Sequence, residues 1–139
     1  MFGDLGLSWM NGKRHGAVNN IFYTETYVDD LAPTTVLATL GMKVPEHDVS
    51  FGWTGTIVGA QGRTPYKQDK GNLYAREPSA GYAVHGIFLD WTPKQGLMQD
   101  TELHVALDNI FDKKYLPYLS DGISAMPGRN FKISVSRRF

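Results

Sequence analysis

The sequence contains no cysteine, which excludes a disulfide framework and thiolate metal sites. It also lacks an excess of either charge: 14 Lys and Arg residues balance 14 Asp and Glu residues, so nothing in the charge favours nucleic acid as a partner. No apolar run reaches the roughly 18 to 20 residues of a transmembrane helix, and the first residues lack the pattern of a secretory signal. A membrane β-barrel remains possible, because its alternating strands average to mild hydrophobicity.

What the sequence does contain is alternation of apolar and polar residues with a period of two. This pattern predicts six strands of about ten residues, the length that a tilted transmembrane strand needs. The third is the clearest, with Val49, Phe51, Trp53 and Ile57 on one face. The predicted strands cover 2–10, 34–43, 49–59, 81–92, 102–112 and 129–139.

The fourth predicted strand, 81–92, is ambiguous, because both of its faces carry apolar residues. Such a strand needs either a bulge or an inner face covered by protein, and the sequence leaves both open. The two competing rows are Tyr82, Val84 and Phe88 against Ile87, Leu89 and Trp91.

Connections between the predicted strands alternate in length. Polar stretches at 11–31, 60–80 and 113–128 predict long loops, whereas 44–48 and 93–101 predict shorter turns. Outer-membrane barrels have this arrangement, with short periplasmic turns and long external loops. The orientation predicts aromatic girdles at both membrane interfaces. Phe51, Trp91 and Phe139 are expected at the periplasmic end, and Trp9, Phe111 and Phe131 at the outer end.

Six strands are too few to close a barrel, since the smallest has about eight. Unpaired edge strands beside an apolar face are unfavourable in lipid and prone to aggregation in water. We therefore expect residues 1–139 to be the C-terminal part of a longer barrel protein.

The end of the chain carries the most specific pattern. It resembles the closing motif of TonB-dependent receptors, Asn-Leu-Phe-Asp-Lys-x-Tyr, a loop, Pro-Gly-Arg and a last strand with a terminal aromatic residue. Ile110 replaces the usual Leu. The matching residues are Asn109, Phe111, Asp112, Lys113, Tyr115, Pro127, Gly128, Arg129 and Phe139. We expect Asn109 and Asp112 to cap the strand end, Gly128 to free the backbone and Phe139 to end an apolar row.

The stretch from Asp29 through Pro45 resembles heme and hemophore receptors within this family. The resemblance implies an all-β, antiparallel up-and-down transmembrane barrel of about 22 strands, of which these six would be the last. It implies a non-enzymatic receptor in the bacterial outer membrane that takes up heme, free or protein-carried. Membrane lipid, the TonB complex and a heme-carrying protein are the implied partners. The plug and the TonB-binding segment would lie outside these residues.

Ligand-binding candidates lie in the predicted external loops. Lys13, Arg14 and His15 form a small cationic cluster that could meet heme propionates, although a solvated loop tip is the commoner role. Arg63 has the same status in the second loop. Tyr115 and Tyr118 could contact ligand from the third, with interface anchoring as the alternative.

Metal binding and catalysis find no support in the pattern. The four histidines, at positions 15, 47, 85 and 104, lack the spacing of zinc ligands. Ordinary hydrogen-bonded roles are expected for His47 and His104, while the role of His85 depends on the unresolved face. No arrangement of Ser, His and carboxylate suggests a hydrolase.

Three other functions remain open at this point. The same architecture could import a ferric siderophore. The chain could instead be a soluble β-sandwich that binds carbohydrate or protein through Trp9, Trp53 and Tyr82. An outer-membrane enzyme is the third alternative.

Overall fold

The computed structural model describes residues 1–18, 21–28, 31–69, 72–75, 77–118, 120 and 126–138, with side chains described outside 16–25, 66–69 and 72–75. Phe139 and part of the predicted third loop lie outside this range. The elements within it are β1 (Phe2–Ser8), β2 (Lys13–Val18), β3 (Ile21–Tyr27), β4 (Thr35–Val44), a 3-10 helix (Pro45–His47), β5 (Val49–Val58), β6 (Tyr66–Asp69), β7 (Asn72–Ala75), β8 (Tyr82–Trp91), β9 (Thr101–Asp108) and β10 (Asn130–Arg137).

Six of these strands form one antiparallel sheet in the order β1-β4-β5-β8-β9-β10. Each strand pairs with the next of the six along the chain, which is the up-and-down arrangement predicted from the alternation. The all-β antiparallel fold and the six long strands are therefore confirmed. Two of the predicted loops contain further structure, because β2 pairs with β3 and β6 pairs with β7 in separate hairpins. The prediction that 11–31 and 60–80 lack strands was wrong.

The register gives the sheet one continuous apolar face. Directly opposite residues in an antiparallel pair lie on the same face, so each row can be followed across the strands. One such row joins Leu40, Trp53, Ile87, Leu107 and Phe131. Within the six strands this apolar face carries no Asp, Glu or Lys residue. Its ionisable side chains are His85 and Arg137.

The opposite face of the same sheet is polar. Polar contacts join neighbouring strands there: an ion pair between Asp108 and Lys132 at 2.6 Å, and a hydrogen bond between Asp90 and His104 at 2.5 Å. Apolar exceptions on this face include Leu37, Val84 and Phe88, together with Phe2. The ring of Phe2 lies over Gly41 and 6.5 Å from the ring of Phe88.

The apolar face is the exposed one. Leu5 of β1 retains 75% of its accessible surface, and large side chains on β4, β5, β8 and β10 are also exposed: Leu40, Phe51, Ile87 and Ile133 among them. In β9, Leu103, Val105 and Leu107 are half-buried. The buried apolar residues of the described chain are Leu31, Val58, Ala106 and Tyr118, of which none lies on this face. A second layer of protein does not cover this face within the described residues.

The face assignment of β8 is resolved by its pairing with β5. Ten consecutive pairs run from Val49↔Trp91 to Val58↔Tyr82 without a bulge. Ile87, Leu89 and Trp91 therefore lie on the apolar face. The unbroken pairing with β5 excludes the alternative of a bulge. Phe88 lies on the polar face beside the ring of Phe2, which fits the alternative of an inner face covered by protein.

The aromatic residues lie near the two edges of the sheet. Phe51 and Trp91 stand near the two shorter connections, whereas Trp9, Phe111 and Phe131 stand near the long ones. Five of the six positions predicted for the girdles are thus at the expected edges, and Phe139 lies outside the described residues.

The end of β9, where the closing motif begins, differs from the prediction. We expected the fifth long strand to reach residue 112, but β9 ends at Asp108. Asn109 and Asp112 have positive φ angles of 50° and 52°, a left-handed conformation that cannot continue a strand. Over the residues with described positions, no helix is long and apolar enough to cross a membrane.

Candidate functional site

The long connections meet at one edge of the sheet, which we call the loop edge: β1 to β4, β5 to β8 and β9 to β10. All the predicted ligand-binding residues belong to these connections. The third connection contains the closing motif.

Asn109 closes the end of β9 with its side chain. Its Nδ2 donates to the carbonyls of Lys113 at 2.9 Å and Pro127 at 3.4 Å, and its Oδ1 accepts from the backbone N–H of Lys113 at 2.8 Å. Only 4% of the residue is exposed. Asn suits this position because it tolerates the left-handed conformation and offers both donor and acceptor. The predicted capping role is confirmed.

Asp112 joins the beginning of the third connection to its end. Its Oδ1 accepts from the backbone N–H of Arg129 at 2.8 Å, just before β10 begins. A Cβ on Gly128 would overlap that same carboxylate oxygen. The glycine is therefore needed for space. The prediction that it frees the backbone was wrong, because its φ is not in the positive region.

The cationic cluster of the first connection lies on the β2–β3 hairpin. Lys13, Arg14 and His15 are all exposed, and Lys13 and Arg14 pair with Tyr27 and Thr26. The Nζ atom of Lys13 lies 5.8 Å from the centroid of the Tyr27 ring. The cluster is thus displayed on a paired strand rather than on an irregular loop. The run of aromatic and Thr residues in Ile21–Tyr27 is the sequence signal that could have revealed this hairpin.

Arg63, in the second connection, is engaged by the protein itself. Its Nη1 donates to the carbonyl of Met10, while its Nε and backbone N–H donate to Oε1 of Gln61 at 3.2 and 3.1 Å. Gln61 is fully buried, and no sequence pattern distinguishes it from the other polar residues of the second connection. Ligand contact by Arg63 stays a prediction; these bonds use two of its side-chain N–H groups.

The two tyrosines of the third connection have different environments. Tyr115 stacks on Tyr82, the first residue of β8, with ring centroids 4.4 Å apart and an angle of 29° between the planes. Tyr118 is buried, with 6% of its surface exposed. Tyr115 is therefore the more accessible to a ligand. Tyr82, a predicted stacking residue of the alternative β-sandwich, lies beside it.

Histidines of the sheet have contacts that the sequence did not reveal. His85 lies on the apolar face, stacked on Trp53 at 5.6 Å and edge-on to Phe111 at 5.5 Å. His104 pairs with Asp90 on the polar face, a carboxylate partner that the sequence spacing did not show. No group of three or more His, Asp or Glu side chains that could hold a metal ion occurs where side chains are described.

Known proteins provide a comparison for this arrangement. No protein-family model matches the chain. The chain is 36% identical over 140 residues to TonB-dependent heme receptor A of Haemophilus ducreyi, a match covering 99% of this chain and 18% of that protein. It is 28% identical over 113 residues to a hemin receptor of Yersinia pestis, which covers 81% of this chain and 15% of that protein. The chain therefore spans about a fifth of the length of these curated relatives.

Solved structures share the fold. The FrpB iron transporter from Neisseria meningitidis (F3-3 variant) superposes with a TM-score of 0.64 at 23% identity, covering 76% of this chain and 16% of that one. The copper transporter OprC gives a TM-score of 0.67 at 22% identity, covering 82% and 18%. The sheet, the closing motif and these relatives define the chain as a segment of a TonB-dependent receptor. Within that class the chain is similar to heme and hemin receptors.

Proposed function

We propose that this chain is part of the wall of an outer-membrane receptor that takes up heme in a TonB-dependent manner. The observation that carries the proposal is the apolar face running across all six strands, with large exposed side chains on five of them and polar contacts on the opposite face. An exposed apolar surface of this extent needs an apolar environment, and lipid provides one. The similarity to heme and hemin receptors supports heme as the ligand.

In this proposal the six strands are the last of an antiparallel barrel of about 22 strands, and residues 1–139 are its C-terminal part. The apolar face contacts membrane lipid and the polar face borders an aqueous interior. The short connections then lie on the periplasmic side and the loop edge lies outside the cell. The relatives are named as receptors, which supports a non-enzymatic role.

Ligand capture would occur at the loop edge. The exposed cations Lys13 and Arg14, with His15, suit the two propionates of heme, free or carried by a protein. The Tyr82–Tyr115 pair offers an aromatic surface to a flat macrocycle. Energy for uptake would come from the TonB complex through parts of the receptor outside these residues.

A hemin titration of the full-length receptor in detergent tests the proposal. We expect saturable binding with a shift of the heme absorption band, and growth of cells on heme as iron source only when the receptor is present. Binding of a ferric siderophore with no response to hemin would overturn the heme assignment and leave the architecture intact.

Solubility tests the architecture separately. A wall segment should require detergent or lipid, because its apolar face has no protein cover within the described residues. A monomer of residues 1–139 that unfolds cooperatively without detergent would instead favour the soluble sandwich.

A further inference from the structure

The fully buried side chain of Gln61 lies where the first two long connections come together. Its Nε2 donates to the carbonyl of Leu31 at 2.7 Å, near the end of the first connection. The backbones of Gln61 and Ser79 exchange two hydrogen bonds, at 2.9 and 3.0 Å, which tie the beginning of the second connection to its end. One residue thus joins three separate points of the loop edge.

Arg63 extends this network to a fourth point. Its guanidinium donates to Oε1 of Gln61 and to the carbonyl of Met10, at the beginning of the first connection, 53 residues away in sequence. The pair Gln61 and Arg63 therefore holds both the beginning and the end of the first connection, at Met10 and Leu31. A direct backbone bond from Gly59 to Thr34, at 2.8 Å, runs beside it.

We propose that Gln61 and Arg63 are positioning residues that couple the first and second external connections into one unit. The side-chain amide of Gln61 is buried, so water could not replace its three hydrogen bonds if they were lost. The arrangement in which both connections are held together is therefore favoured over independent motion of each connection. Arg is required because its planar fork places two donors in fixed directions, toward Gln61 and Met10.

As a positioning residue, Arg63 has a role different from direct ligand contact. Met10 lies shortly before the hairpin of the first connection that carries Lys13 and Arg14. By binding Met10, Arg63 would set the position of those two cations. That consequence rests on the proposed function, whereas the coupling itself does not.

Hydrogen–deuterium exchange on the full-length receptor in detergent, without ligand, tests the coupling. We expect Gln61→Ala to speed exchange severalfold at residues 31–34 and Arg63→Ala to do so at residues 9–12, although both changes lie in the second connection. Lys114→Ala, an exposed cation of the third connection, is the matched control and should leave those residues unchanged.

Arg63→Lys separates positioning from charge. It keeps the positive charge but loses the fork, so we expect exchange at residues 9–12 to resemble that of Arg63→Ala. Protection restored by Lys, or unchanged exchange at 9–12 and 31–34 in both Ala variants, would overturn the inference. If Gln61→Ala yields no folded receptor, Arg63→Ala decides alone, because it leaves the bond from Gln61 to Leu31 in place. A wild-type receptor that fails to bind hemin would count against the proposed function only.

Discussion

Asp48, in the turn between β4 and β5, binds Lys94, in the connection between β8 and β9. The backbone N–H of Lys94 donates to Oδ2 of Asp48 at 3.0 Å, and the Lys94 Nζ atom lies 3.3 Å from Oδ1. The carbonyl of Asp48 also accepts from Thr92 at 3.0 Å. Two connections at the edge opposite the loops are therefore joined just beyond the last pair of β5 and β8, Val49 with Trp91.

This link has a defined pH dependence. The hydrogen bond from the Lys94 backbone, more than the charge of Lys94, holds the pKa of Asp48 below its ordinary value. A lowered pKa means that the contribution to stability is complete above the unfolded-state value of about 3.9 and is lost as the pH falls through the lower folded value. We expect constant protection of the Lys94 amide from pH 7 to pH 5.

Substitution of Asp48 separates the bond from the charge. Asn keeps an acceptor and tolerates the φ of 53°, whereas Ala loses the acceptor and is strained there. Exchange of the Lys94 amide, measured by mass spectrometry, should be slowest in the wild type, faster in Asp48→Asn and fastest in Asp48→Ala. Equal rates in all three would show that the carboxylate does not hold the turn.

Replacing Asn109 should destabilise the protein more than any exposed loop substitution. Asn109→Ala removes three side-chain hydrogen bonds at a buried position, which we expect to cost roughly 2 to 4 kcal/mol. Asn109→Gly removes the same bonds but accepts the positive φ, so the difference between the two variants measures the backbone strain. Urea unfolding of the full-length receptor in lipid vesicles is the measurement. Midpoints that match the wild type would contradict the capping role.

Gly128 and Gly62 form a matched pair in two of the long connections. A Cβ at Gly128 would collide with the Asp112 carboxylate and displace its bond to Arg129, whereas a Cβ at Gly62 meets no atom within 4 Å. Gly128→Ala should therefore lower the unfolding midpoint and speed exchange of the Arg129 amide. Gly62→Ala should leave that amide unchanged. The reverse order would mean that the third connection adapts to the added methyl group.

The sheet could be predicted because its strands alternate strictly in sequence. Val49, Phe51, Trp53 and Ile57 occupy one face of β5 as expected, since a period of two leaves only one register that groups the apolar residues. The same rule failed for β8, where both faces carry apolar residues. There the faces are decided by pairing with β5 and by the contact of Phe88 with Phe2, which are long-range facts.

The loop edge was much less predictable. The short hairpins β2–β3 and β6–β7 lie in polar stretches without a clear apolar face, so alternation gave no signal. The interactions of Arg63 depend on Met10, far away in sequence, and the burial of Gln61 depends on both connections together. Asn109 and Asp112 were predicted as caps from the closing motif. Asn and Asp suit these positions because both commonly adopt left-handed turns, which is a local property.

Neighbouring residues of β10 test whether the apolar face contacts lipid. Ile133 is exposed on that face and pairs with Val105, while Ser134 is exposed on the polar face and pairs with His104. Ile133→Arg should cost about 2 to 4 kcal/mol if the face lies in the middle of a bilayer, whereas Ser134→Arg should cost little. The measurement is the folded fraction of the full-length receptor in lipid vesicles. Similar costs at the two positions would contradict a lipid-facing wall.

The cations of the β2–β3 hairpin test the ligand side of the proposal. Lys13 and Arg14 are exposed at the loop edge, where each ion pair with a propionate is worth roughly 0.2 to 1 kcal/mol. Because an exposed pair is screened by salt, we expect the variant with both residues changed to Ala to bind hemin about tenfold more weakly at low ionic strength, and the difference to shrink at high salt. Lys94→Ala removes a charge at the opposite edge and should leave the hemin affinity unchanged. Equal loss in both variants would show that the effect is one of net charge, and no loss in either would place the ligand contacts on other residues of the receptor.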